Sequence, residues 1–579
     1  MVTDLLGTTA AEQRESAIST RVAELEERLG DPTDPANPLG HATLLLADRA
    51  AVPFAAGEAA LDDVGLAAEY VPEALGGRLT GIDRLVRVMR PVFRRDVGLA
   101  MGYGGTTFMA ASDVWMTGTP EQQRWVAGLL LSGRKAAIAQ HETAHSNDYV
   151  RSQVAARRTP DGYVLSGGKQ MINNLGRAGA VVLFSRTDPE GGSRSHSVLL
   201  LDPAELPPGQ AVVVPRRTEV GLRGCQFASV EFHDCPVPGS ALLGPEGTGI
   251  ETALRSFQIS RTVVSAMAVA AVDTTLRTAA HAADVRSGHW QQSRPERNRA
   301  EAALAGAFVN LLLYDSLAVV ATRALHVLPA ETSVYSAALK YLLPRVLTET
   351  MYDLSTVLGS GLYTQDGTLG IFQKHIRDVP VLSLGHAGSV ACQATVVPQL
   401  AWLAKHSWFA DPEAPEALFQ VRGDVPPLDY GPLALACGRD SLTASLCATA
   451  ERIHGLSPAE RALRGYAEQL VRELADLRDR VLALESAGHQ AGLFPLMDRY
   501  ALLLAAAAVL GVWHTARQGG DPFLAEPAWA AAALHAVARR LGSRVADLPA
   551  ECLTRVRQEV QLRFAAQSSY DLYNTPVPG

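Results

Sequence analysis

Lysine is nearly missing from this chain. Five of its 52 basic residues are Lys (Lys135, Lys169, Lys340, Lys374 and Lys405), and the rest are Arg. With abundant Ala, that shortage reads as the coding bias of a GC-rich genome. No long basic run occurs and the net charge is −8, so nucleic acid is not an expected partner. The six cysteines show no CxxC pair and no Cys/His zinc spacing, which excludes a disulfide framework and a structural zinc. No signal peptide is expected, since MVTDLLGTTAAEQRES has neither a basic start nor an apolar stretch. The most apolar run, Ala501 to Trp513, is too short to span a bilayer and reads as a buried helix. A cytoplasmic chain without a membrane span is therefore expected. No solenoid-length repeat stands out.

What is present is a globular composition. Hydrophobic residues make up 47% and charged residues 19%, enough apolar side chains for several cores. A length of 579 residues allows three or four domains at ~150 residues each. Residues 1–136 read as helical, with an amphipathic helix at 10–29 and further helices at 42–59 and 81–95. Thr119-Pro120-Glu121-Gln122 carries an N-cap, a proline at the first helical position and a capping box. From 137 to 240 the pattern becomes short β-branched runs at 154–157, 162–165, 179–185, 197–201, 211–214 and 229–233. Gly, Pro, Asp and Asn separate them, as in a small antiparallel β domain. Helical periodicity returns over 241–410 in long Ala/Leu-rich segments typical of a bundle. A Pro/Asp-rich linker over 411–429 precedes a further helical block, 430–579. The expected class is α+β, mostly α.

Several strings in this order resemble the acyl-CoA dehydrogenase family. HETAHSND (141–148) lines up with the family's Thr-Glu-Pro-x-x-Gly-Ser-Asp turn. GYVLSGGKQMINN (162–174) and GLRGCQFASVEFHDCPVP (221–238) match its β-domain strands. LLGPEGTGIETALRSFQISR (242–261) resembles the start of its C-terminal bundle. Ile376-Arg377-Asp378 resembles the Arg-Asp pair upstream of its catalytic loop. The resemblance runs from about residue 40 to 405 and leaves the last helical block as an addition.

The resemblance implies FAD as cofactor and an acyl thioester of CoA or acyl carrier protein as substrate. A base removes the α-proton while flavin accepts a hydride from the β-carbon. The family's usual Glu falls here on His386. A second family position for the base, just before Arg261, holds Ser260. His386 is thus the candidate base, since an imidazole with pKa near ~6.5 suits neutral operation, and Arg261 is the matching bundle arginine. Around the flavin the family pattern places His141, Asn147, Met171 and Asn173. Met packs against a ring, and Asn bonds a ring edge. Arg286, Thr356 and Gly359 match the positions that hold the dinucleotide across a subunit interface, which implies a homodimer or larger assembly. The three histidines His141, His145 and His386 lack the spacing of a metal site. The missing carboxylate leaves two alternatives open: non-redox thioester chemistry or binding only, and a flavin monooxygenase of the same superfamily. The extra helical block shows no acid/base cluster and is expected to widen a contact or meet a carrier protein.

Overall fold

A computed structural model of the chain describes residues 10–146, 148–215, 219–289, 294–385 and 388–579. The N-terminal part holds helices Ala10–Leu29, His41–Ala50, Ala55–Asp63 and Ile82–Arg95. The helix expected over 42–59 is broken, because Ala51 turns left-handed at φ 52° and Pro53 cannot continue the ladder. Thr119 and Gln122 form the expected capping box at the start of Pro120–Leu131. Between Val97 and Thr117 the helix loosens into a π-turn over Met101–Gly105. Three of those five residues are glycine, the residue least costly to push out of regular helix.

The β domain is one eight-stranded sheet, and it is mixed, where the sequence pattern pointed to an antiparallel one. β1 (Lys135–Ala139) and β2 (Ala155–Thr159) precede β3 (Gly162–Asn173) and β4 (Ala178–Arg186). β5 (His196–Leu201), β6 (Ala211–Pro215), β7 (Phe227–Pro238) and the two-residue β8 (Leu242–Leu243) complete it. The order is β6-β7-β3-β2-β4-β5-β8, with β1 parallel to β4. The short Ala-rich β1 has no alternation that would mark it as a strand. The sheet has its own small core around Leu165, Leu183, Leu199 and Phe232.

Helices Gly249–His289, Arg294–Val327, Thr332–Leu358 and Ser389–His406 form the bundle. The added C-terminal part is helical at Ser441–Glu451, Pro458–Ser486, Leu493–Ala516, Pro527–Arg540 and Ala550–Ala565. One hydrophobic core runs from Val22 through the bundle to Tyr573, so these last helices are packed in rather than tethered. The stretch read as a linker is held down too: Arg323 donates to the carbonyls of Ala417, Gly423 and Asp424, and His326 pairs with that of Pro426 at 2.8 Å.

Among the described residues three helices, Gly249–Val285, Glu296–Val327 and Gln490–Ala516, are long and apolar enough to cross a membrane by length and composition. This corrects the expectation drawn from 501–513, which is only the middle of a longer apolar helix. Their apolar windows are 100%, 83% and 78% buried inside the protein, so packing against other helices accounts for the apolar surface.

Candidate functional site

Five non-glycine residues with positive φ lie in the described β domain: Ser146 at 51°, Met171 at 62°, Asn174 at 64°, Leu222 at 52° and Asp234 at 47°. Such backbone is costly and gathers at working sites. Met171 is the most telling of them. The pairing of β3 with β7 shifts register between Lys169 and Ile172, leaving Met171 on a bulge with its side chain 37% exposed. The next residues are tied to the π-turn. Asn173 donates to the Met101 carbonyl at 3.1 Å and to Thr106 Oγ1 at 3.0 Å, and accepts from the Gln226 amide at 3.1 Å. Asn174 donates to the Gly102 carbonyl at 2.8 Å. The Asn173 amide is therefore engaged inside the protein, where the sequence pattern had set it at a flavin edge.

His141 opens the turn that faces this bulge, and its carbonyl accepts from the Gln170 amide at 3.0 Å. The neighbouring Glu142 is buried and accepts from Lys169 Nζ at 2.8 Å, Ser152 Oγ at 2.6 Å and the Gln153 amide at 2.8 Å. Burial works against its charge, yet Lys169, Ser152 and Gln153 hold its pKa down to about 2. This fully buried ion pair anchors the turn to β3. Next to it, Gln140 Nε2 is buried without an acceptor among the described residues. Asn147 lies outside the described residues.

Arg261 sits inside the bundle at 1% exposure. It donates to Thr395 Oγ1 at 3.2 Å and its guanidinium lies 5.1 Å from the Phe257 ring, which Tyr149 meets edge-on at 5.2 Å. Lys340, buried from the facing helix, has Arg261 and the Cys392 thiol as charge neighbours, and no carboxylate among the described residues. Desolvation lowers its pKa to about 8, opposed by Cys392 and reinforced by Arg261. Thr395 belongs to the helix that starts three residues after His386, which itself lies outside the described residues. Ser260 is buried beside Arg261.

The remaining candidates lie at the far end of the bundle. Arg286 is placed in helix Gly249–His289, and its side chain is outside the described residues. Thr356 is exposed, its hydroxyl bonded to the Asp353 carbonyl at 2.7 Å. Gly359 ends that helix at φ 58°, ψ −131°, a conformation that needs glycine. The Arg-Asp pair proves to be a docking device. Arg377 bonds Asp48 at 2.6 Å and the Val220 carbonyl at 2.9 Å, while Asp378 accepts from the Leu222 amide at 2.7 Å. Sequence reasoning missed Lys374, which pairs with Asp378 at 2.6 Å and with Asp96 in the interior. Only the i, i+4 spacing of Lys374 and Asp378 offered a hint. Through these contacts the strained Leu222 loop is locked to both helical parts. No cluster of metal-ligating residues occurs among the described residues.

Comparison with solved structures places this architecture. An acyl-CoA dehydrogenase from Bacillus anthracis, complexed with FAD, superposes over 95% of both chains with TM-score 0.68 at 16% identity. The chain has the acyl-CoA dehydrogenase fold. Butyryl-CoA dehydrogenase from Megasphaera elsdenii shares that fold over 66% of this chain and 96% of its own (TM-score 0.54, 18% identity). So does a prolyl acyl carrier protein oxidase (66% and 98%, TM-score 0.55, 16% identity). Both leave the last helices unmatched, whereas the Bacillus anthracis enzyme covers nearly the whole chain. Among curated sequences, the human mitochondrial short-chain specific acyl-CoA dehydrogenase is 28% identical over 228 residues, 38% of this chain and 54% of its own. The 2-methylacyl-CoA dehydrogenase of Solanum tuberosum is 26% identical over 207 residues, 36% and 50%. The chain spans about half the length of the curated relatives it matches. No family model matches. Sequence relatives and acyl-CoA dehydrogenase-fold neighbours both support the family resemblance.

Proposed function

We propose that this protein is an FAD-dependent oxidoreductase acting on an acyl thioester of CoA or acyl carrier protein. The observation that carries the reading is Met171, exposed on a strained bulge where the resembled family sets its flavin-flanking aromatic. The curated relatives are named acyl-CoA dehydrogenases, and one structural neighbour is a carrier-protein oxidase. The residues present suit a flavin: an exposed thioether for the ring face and the unsatisfied Gln140 amide for a polar edge. FAD, when bound, supplies the hydride acceptor that no side chain offers.

The chain's own residues then have separate tasks. The Glu142–Lys169 pair holds the 141–146 turn in place. Arg261 and Lys340 make the bundle wall electropositive, which favours the developing negative charge of a deprotonated thioester. His386, just before the helix that carries Thr395, takes the α-proton. A groove of about 440 Å³ beside the turn is lined by Arg151, Arg186, Ser195 and His196, and its basic rim suits the phosphorylated arm of CoA or a carrier. Arg286, Thr356 and Gly359 complete a dinucleotide site from a second copy. The exposed Tyr352 and Tyr363, close in sequence to Thr356 and Gly359, supply apolar surface for that dimer.

An absorption spectrum of the purified protein, followed by anaerobic mixing with acyl-CoAs and acyl carrier proteins, tests the reading. Flavin bands that bleach on mixing support desaturation. The absence of a carboxylate at His386 and at Ser260 favours the competing readings. Bound flavin that no thioester bleaches points to the monooxygenase, and a colourless protein points to non-redox chemistry. A monomer by sedimentation at micromolar concentration removes the shared dinucleotide site.

A further inference from the structure

A cavity of about 470 Å³ opens where the N-terminal helices, the bundle and the C-terminal tail meet, and none of its walls comes from the β domain. That volume lies within the ~300–1,000 Å³ usual for small-molecule sites. Pro91, Phe564 and Val577 give it an apolar side. Its other side carries Arg94, Arg95, Arg277, His41 and His281, with Glu26 as the acidic residue.

These charges are unevenly matched. Arg94 takes Glu26, together with Asp273 at 2.8 Å, so that carboxylate is answered. Arg95, 4% exposed, donates to the carbonyls of Leu39 and Gly30, with the Glu26 and Asp31 carboxylates as charge neighbours beyond ion-pair distance. Arg277 has only the carbonyl of Ser568 and the face of the Tyr570 ring, and its Nε lacks an acceptor. Neither arginine has a carboxylate within ion-pair distance among the described residues. His41, 5% exposed, has both ring nitrogens buried without partners. Buried polar atoms are nearly always satisfied, so the Arg277 Nε–H and the one N–H of the His41 ring leave two donors beside the cavity without an acceptor. Burial and the nearby Arg95 and His375 keep the His41 ring neutral, so it donates from one nitrogen.

We infer that this cavity binds a small amphipathic carboxylate, its acid group held by Arg95, Arg277 and His41 and its apolar body laid along Pro91 and Phe564. A single negative charge fits the two unmatched arginines better than a dianion, because Glu26 shares the cavity. The site stands apart from the proposed thioester site and does not depend on the flavin reading.

Calorimetric titration of the full-length protein with decanoate, decanol and inorganic phosphate tests the assignment. Decanoate is expected to bind once per chain, with decanol and phosphate each at least tenfold weaker. Arg277→Met weakens decanoate at least tenfold and leaves decanol unchanged, because only the ionic contact is lost. Ala565→Trp, at the exposed mouth, weakens both, and it keeps the test alive if the arginine variant fails to fold. The proposal is overturned if decanoate gives no binding, or if decanol binds as tightly. It is equally overturned if decanoate binding survives both substitutions, which places that ligand in the thioester cleft instead.

Discussion

Arg90 Nη1 and Asp571 Oδ2, 481 positions apart in the chain, meet at 3.0 Å in the protein interior. Arg90 also holds Asp315, and Asp571 reaches Arg94 at 3.5 Å. Burial opposes the charge of Asp571, but Arg90 and Arg94 keep its pKa near 2. The C-terminal tail thus closes over the N-terminal helix Ile82–Arg95 and the bundle together. Asp571→Asn should cost about 3 kcal/mol, the low end for a broken buried pair, since both arginines keep other carboxylates. Urea unfolding measures the loss, and hydrogen exchange should rise first around residues 566–579.

Lys340 is a buried cation without a carboxylate neighbour among the described residues, and its penalty has a defined pH window. Its folded pKa of about 8 lies below the ordinary lysine value, so the unfolded chain binds more protons between the two. Wild-type stability from this group should rise as pH goes from about 8 to about 10.5, and the full penalty is present below pH 8. Lys340→Met should stabilise the fold by about 1–3 kcal/mol at pH 7 and lose that slope. Unfolding curves at pH 7 and pH 9.5 decide it. If Lys340 serves the thioester site, the same variant is more stable yet slower.

Glu142→Gln leaves Lys169 charged and unpaired at 0% exposure. The expected cost is about 3–5 kcal/mol, seen as a lower melting temperature. Because Lys169 and its partners depress the Glu142 pKa, the pair's contribution is complete above the ordinary Glu value and is lost as pH falls toward 2. The variant should flatten the acid limb of the stability profile. Its flavin affinity should fall as well, since the 141–146 turn loses its anchor.

For the base, His386→Ala should slow flavin reduction by an acyl thioester by ~10²-fold or more. The wild-type rate should rise with pH through the imidazole's titration and then level off, because the neutral ring accepts the proton. His386→Glu should restore or raise the rate. Stopped-flow bleaching of the flavin reads all three; a rate unchanged in His386→Ala moves the base elsewhere.

The helices of the bundle, the capping box at Thr119 and most strands were legible because each rests on a local rule: apolar period, cap chemistry or β-branched runs between turn residues. The order of these segments, together with the strings at 141–148, 162–174 and 221–261 that resemble the family, pointed to the fold. Helix Ile82–Arg95 shows where local rules stop. It carries five arginines, and all its residues except Asp83 and Arg84 are buried. Its sequence gave no sign of the Asp273, Asp315 and Asp571 carboxylates that permit this, which come from positions hundreds of residues away.

The sequence by itself determined the layout, helix then sheet then bundle then added helices, and the absence of a carboxylate at either base position. Only the tertiary structure decided that β1 joins the sheet in parallel and that Met171 stands on a bulge. It also decided that Arg377 and Asp378 dock loops and that Arg95, Arg277 and His41 surround a cavity. The reason is physical. Helix period and turn chemistry act between near neighbours, whereas ion-pair matching, register shifts and cavity walls depend on which distant segments the core brings together.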